Sequence, residues 1–193
     1  MAAPMENNIE DDICKRFNIP SLRPNQKKAV KGVMDRKDVF VGTKTGSGKS
    51  LTYECIPVLF PDVCVVIITP LIFIMSEQCK KLTALGFKAS YIGKDSSENS
   101  DLINGEYDFI FASPEQLVGD LKWCDVLKSD VYQRKLRAIV VDEAHTVIQC
   151  GESQDRKTEP NGFQESENFV HCVQTLKWWH LQQQRGQPTE EKS

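Results

Sequence analysis

Two short strings in this chain hold residue types that do phosphate chemistry. The first is Thr43-Lys44-Thr45-Gly46-Ser47-Gly48-Lys49-Ser50. Glycines in such a turn let successive backbone N–H groups converge on phosphate oxygens, and a following helix adds partial positive charge at its first turn. Thr45, Gly46, Ser47 and Gly48 are therefore the expected cradle. Lys49 is placed to reach the outer phosphates as a point charge, and the Ser50 hydroxyl to ligate Mg²⁺. The strict phosphate-loop pattern has Gly where this chain has Thr43. The second string is Asp142-Glu143-Ala144-His145. Asp142 would hold Mg²⁺ through water, and Glu143 would polarise an attacking water as general base. Lys49, Asp142 and Glu143 are thus the candidate catalytic residues, with Ser50 and Asp142 as the metal-holding pair. Either string alone also occurs as an ordinary turn or surface helix, but the two together are far more specific.

Such residues need elements to aim them. Asp38–Gly42, Val63–Thr69, Lys88–Ile92, Tyr107–Ala112 and Leu136–Asp142 are short runs rich in Val, Ile and Phe. Their near-continuous hydrophobicity is that of strands covered on both faces. Helices are expected at Asn25–Met34, Lys49–Leu59 and Leu71–Leu85, with another opening at Pro114–Val118. Strand and helix in alternation predict an α/β domain of the P-loop, RecA-like type, a parallel sheet with helices on both faces. The cradle would then follow a strand and open a helix. Asp142 would sit at the carboxyl end of a strand, where ligands collect in such sheets.

The bulk properties restrict the partners. The chain has 193 residues, 40% hydrophobic and 26% charged, with a net charge of -3. That is a length for one domain with a tail. The charge excludes a broad polybasic surface, so any nucleic-acid contact has to be local. Seven cysteines occur without a CxxC pair, as expected for reduced thiols in a nuclear or cytoplasmic protein. Met1 to Asp12 is polar and acidic, unlike a secretory or transit segment, and no apolar run is long enough to span a bilayer, so no membrane partner is expected. Residues 1–16 read as an N-terminal arm, 17–151 as the folded lobe, and 152–193 as a poorly ordered polar tail.

The motifs resemble those of RecQ-type ATP-dependent DNA helicases. Phe17, Arg23, Pro24 and Gln26 match the upstream element F-G-aromatic-x-x-F-R-P-x-Q of that family, although Ile19 stands where an aromatic is usual. The resemblance implies that Arg23 and Gln26 belong to the nucleotide site. The Gln26 amide offers one donor and one acceptor to adenine N7 and N6, which would select ATP. Gly48-Lys49-Ser50-Leu51-Thr52-Tyr53 is similar to G-K-S-L-C-Y. Thr69-Pro70-Leu71-Ile72, with Met75 and Gln78, is similar to S-P-L-I-S-L-M-x-D-Q. Ser113-Pro114-Glu115-Gln116-Leu117 is similar to S/T-P-E-x-L. By that resemblance Thr69, Pro70, Leu71, Ser113, Pro114 and Glu115 are candidate nucleic-acid contacts, whose hydroxyls and exposed N–H groups suit phosphate.

The likeness stops near Gly151. Asp142-Glu143-Ala144-His145 continues with Gln149 and Gly151 as in D-E-A-H-C-I-S-Q-W-G-H-D-F-R-P, but Cys150 replaces the Trp. The resemblance implies ATP and Mg²⁺ as cofactors and single-stranded or forked DNA as partner. It also implies 3′-to-5′ unwinding in an enzyme with two lobes. Only the first lobe is legible here, so unwinding would need a second lobe or a full-length helicase in trans. Three other readings stay open: a non-catalytic ATP- or nucleic-acid-binding regulator, a DEAH-type RNA helicase fragment, and a small-metabolite P-loop kinase.

Overall fold

The structure, a computed structural model, describes residues 4–42, 46–94, 99–119 and 121–142. Thr45, Glu143, Cys150, Cys172 and the segment 152–193 lie outside the described residues. Four strands form one parallel sheet: β1 (Cys64–Ile68), β2 (Ala89–Tyr91), β3 (Phe109–Ala112) and β4 (Leu136–Val141), in the order β2-β3-β1-β4. The helices are α1 (Pro4–Phe17), α2 (Pro24–Met34), α3 (Leu51–Glu54), α4 (Ile56–Leu59), α5 (Ile72–Ala84), α6 (Asn99–Ile103), α7 (Pro114–Gly119), α8 (Leu121–Leu127) and α9 (Asp130–Lys135). The expected α/β architecture is the one the chain adopts.

The unbroken apolar runs are explained by the two faces of the sheet. Side chains alternate along a strand. Cys64, Val66 and Ile68 join Ile110 and Ala112 on one face, under Leu117, Trp123, Leu127 and Tyr132. Val65 and Ile67 join Phe109 and Phe111 on the other, under Tyr53, Ile56, Met75 and Leu82. Both central strands are thus buried throughout. Truncating one of these Ile or Phe side chains to Ala would cost about 2–5 kcal/mol. The hydroxyl of Tyr132, fully buried, donates to the Leu102 carbonyl. Burial pushes the Cys55 thiol up to about 12 and the Cys64 thiol well above its ordinary value. The five described cysteines form no disulfide with one another.

Three elements differ from expectation. Asp38–Gly42 is not a strand: it makes no ladder, and Phe40 is 91% exposed. A strand exists through its neighbour, and among the described residues the sheet ends at β4 without a ladder to Asp38–Gly42. The cradle is therefore fed by an irregular segment. The helix expected over Lys49–Leu59 is two short pieces, α3 and α4, separated at Cys55. Pro57 causes the break, because it has no N–H to give the Tyr53 carbonyl. The arm before residue 17 contains α1, whose Ile13 is fully buried against Leu22, Val30, Leu51 and Cys55, with Ile9 and Phe17 alongside.

Glu10 ties α1 to α2. Its carboxylate pairs with Lys27 at 2.8 Å and accepts from the Leu22 N–H at 3.2 Å. The hydrogen bond from Lys27 holds the Glu10 carboxyl below its usual range. A depressed carboxyl stabilises the fold above its unfolded value, and that contribution is lost as pH falls through the folded one. No helix among the described residues is long and apolar enough to cross a membrane.

Candidate nucleotide site

The site forms where the carboxyl ends of β1 and β4 meet the cradle. Asp142 follows β4, and its backbone N–H donates to the Ile68 carbonyl at 2.9 Å. Its carboxylate is therefore carried on the last rung of the ladder. Across the sheet from β1, the Thr69 N–H donates to the Ala112 carbonyl at 3.0 Å, which brings Thr69 beside Ser113.

The described part of the cradle runs from Gly46 to Ser50. Gly46 and Gly48 have φ of 79° and 77°, the left-handed region. Lys49 and Ser50 turn the chain into α3. The Lys49 carbonyl accepts from the Thr52 N–H at 2.9 Å and the Thr52 hydroxyl at 2.6 Å, while the Ser50 carbonyl accepts from Tyr53 and Glu54.

Arg23 and Gln26 reach this turn from α2. Arg23 Nη1 donates to the Ser47 carbonyl at 2.7 Å, and Gln26 Nε2 to the Gly48 carbonyl at 3.0 Å. Gln26 Oε1 accepts the Arg23 N–H at 2.8 Å. Gln26 is only 6% exposed, and a Cβ at Gly48 would lie 2.8 Å from its Nε2. The close approach and the positive φ together explain why position 48 is glycine.

The structure thus gathers Arg23, Gln26, Gly46, Ser47, Gly48, Lys49 and Ser50 around one turn. The Tyr53 hydroxyl, 3.4 Å from Asp142 Oδ2, links that turn to the acid. Ser50 and Asp142 offer one hydroxyl and one carboxylate. That hard, sparse oxygen set fits Mg²⁺, which keeps waters and takes phosphate oxygens for the rest. Among the described residues no group of three or more side chains suits a protein-only metal cage.

The six candidate nucleic-acid residues lie on two adjacent turns at the same end of the sheet. The Thr69 and Ser113 side chains are buried, whereas Leu71 and Glu115 are exposed. The first turn of α5 also exposes Ile72 and Phe73.

Sequence reasoning overlooked three groups. Tyr53 stands three residues after Ser50, so one helical turn carries it back toward the cradle. Gln116 accepts the Ser113 N–H at 2.9 Å and donates to the Ile92 carbonyl at 2.7 Å. The repeated x-Pro-x-Gln spacing of Arg23–Gln26 and Ser113–Gln116 could have revealed it. Glu54, 1% exposed, is met by Lys81 Nζ at 2.8 and 3.0 Å, which pins α3 to α5. No local pattern marks that pair.

Comparison with known proteins settles the family. Residues 23–161 match the DEAD/DEAH box helicase family. The chain belongs to that family. It is 34% identical over 149 residues to the ATP-dependent DNA helicase Q-like SIM of Arabidopsis thaliana, covering 76% of this chain and 17% of the relative. It is 30% identical over 141 residues to the ATP-dependent DNA helicase RecQ of Haemophilus influenzae, covering 70% of this chain and 22% of the relative. This DEAD/DEAH box chain therefore spans about a fifth of the length of these curated relatives. A crystal structure of a hypothetical ATP-dependent RNA helicase from Sulfolobus tokodaii superposes with a TM-score of 0.53 at 20% identity. The match covers 88% of this chain and 54% of that one. That likeness shows the helicase-lobe fold.

Proposed function

We propose that residues 17–151 form the ATP-binding lobe of a RecQ-like, ATP-dependent 3′-to-5′ DNA helicase. The observation that supports this best is the joining of Gln26, the phosphate turn and Asp142 into one hydrogen-bonded unit. In this reading the turn cradles the phosphates and Lys49 neutralises their outer oxygens. Ser50 and Asp142 hold Mg²⁺, which offsets charge on the transferring phosphoryl group. Glu143 takes the proton of the attacking water. The Gln26 amide reads the adenine edge with the donor and acceptor capacity that its two present bonds leave over.

The turns at Thr69–Leu71 and Ser113–Glu115 would meet the backbone of single-stranded or forked DNA. The protein would act in the nucleus or cytoplasm. The arginine that completes such sites would come from a second lobe or a full-length helicase in trans, and fingers of this kind contribute about 10³–10⁵ in rate. The 193-residue chain alone is accordingly expected to bind ATP, release phosphate slowly and leave a DNA fork paired. A phosphate-release assay with and without single-stranded DNA, blanked with Glu143→Gln, separates this reading from a non-catalytic regulator.

The direct test of the cradle is Lys49→Ala. It keeps the glycines and removes the charge, so a fluorescent ATP analogue should lose at least tenfold in affinity while circular dichroism stays unchanged. Equal affinities for the two proteins would overturn the assignment.

A further inference from the structure

We propose that Tyr53 is a positioning residue for the metal-holding carboxylate. The inference rests on the reading of Ser50 and Asp142 given above, and deepens it. Tyr53 reaches both partners at once. Its backbone N–H donates to the Ser50 carbonyl at 3.1 Å, and its hydroxyl lies 3.4 Å from Asp142 Oδ2. Its ring is 6% exposed, packed with Ile56, Val65, Ile67 and Met75, so the hydroxyl is delivered from a fixed body. Asp142 is equally fixed at its backbone, through the bond to the Ile68 carbonyl.

A carboxylate's terminal torsion has a broad, two-fold profile, which a hydrogen-bond partner narrows. A phenol donating to one oxygen restricts that rotation and so helps to aim the carboxylate. Partners that orient a metal ligand in this way are typically worth about 10–100-fold in metal affinity. Here the separation exceeds the roughly 2.5–3.0 Å of a full-strength O–H···O bond. The effect expected is therefore below that range, about three- to tenfold.

The experiment uses the whole chain, with Tyr53→Phe retaining the ring. A fluorescent ATP analogue is titrated in EDTA, and again across a Mg²⁺ series, with urea unfolding as the fold control. Tyr53→Phe should match the parent in EDTA and in its unfolding midpoint, yet need about three- to tenfold more Mg²⁺ for the half-maximal gain in affinity. Asp142→Asn should abolish the Mg²⁺ response. A purely packing role for Tyr53 predicts an unshifted Mg²⁺ curve. That curve, seen while Asp142→Asn loses its response, overturns the proposal and leaves the metal reading intact. A Mg²⁺ response that survives in Asp142→Asn overturns both.

Discussion

The chain uses one local device twice, at opposite sides of its sheet. Arg23-Pro24-Asn25-Gln26 opens α2, and Ser113-Pro114-Glu115-Gln116 opens α7. In each, Pro starts the helix and the glutamine side chain accepts the N–H of the residue before it. Each glutamine then donates to a carbonyl at a left-handed glycine turn: to Gly48 itself, and to Ile92 just before Gly93. A Cβ at either glycine would meet the glutamine nitrogen, at 2.8 and 2.7 Å. The difference lies in the capping residue. Ser113 returns a bond to the Gln116 N–H at 3.2 Å, closing the box. Arg23 has no acceptor to return, and its guanidinium reaches forward to Ser47. The same geometry thus closes on itself under α7 and opens toward the glycine turn at Ser47 and Gly48 from α2. One box is closed on its own helix, and the other ties its helix to the backbone of the turn at Ser47 and Gly48.

Substitutions can break that distinction. The largest effect is expected from Gln116→Ala, which strips a partner from both the Ser113 N–H and the Ile92 carbonyl. It should cost about 2–3 kcal/mol of stability in urea unfolding and leave ATP affinity within twofold. Gln26→Ala should cost less stability, roughly 1 kcal/mol, because the exposed Arg23 and its N–H gain water. It should instead erode the preference for ATP over GTP by about 1–2 kcal/mol, measured by competition. If the two alanine variants lose equal stability and neither changes nucleotide preference, the boxes are equivalent and the clamp at α2 has no nucleotide role. The smallest effect belongs to Arg23→Ala, an exposed change expected to move stability by less than about 0.5 kcal/mol. A two- to threefold drop in ATP affinity would show that the forward reach of Arg23 matters to the turn. No drop would confine the clamp to Gln26.

What the sequence revealed follows from how local each signal is. The central strands were legible because burial on both faces leaves an unbroken apolar run, as in Cys64–Ile68. The candidate phosphate turn and acid stood out in the sequence because the chemistry proposed for them dictates residue types at fixed spacing. The stretch Asp38–Gly42 has strand composition, but its state depends on a neighbour, and composition holds no information about neighbours. The break at Cys55 was readable from Pro57 and was missed by following hydrophobic periodicity past it. In α1, Ile9, Ile13 and Phe17 recur every fourth residue among acids, a weak stripe that only its packing on α2 and α4 makes plain. Tyr53 and the Glu54–Lys81 pair join residues far apart in the chain, and no single-sequence pattern announces such meetings.

The outer edge of β4 bears on how the protein behaves in company. Central strands pass every main-chain group to a neighbour, but among the described residues β4 pairs only on its β1 side, and Ala138–Val141 are half-exposed. The one charged residue of β4 is Arg137, whose guanidinium donates to the Val33 carbonyl and lies over the Phe60 ring, so Ala138–Val141 carry no charge to repel another strand, and Phe40 stands bare on the segment that failed to join the sheet. Natural sheets blunt such borders because a row of unanswered N–H and C=O groups is a template for any extended chain that drifts past. The outer border of β4 is therefore a surface on which an extended segment could pair. Crowding, concentration and the company of unfolded chains become conditions that govern how long the lobe stays by itself in solution.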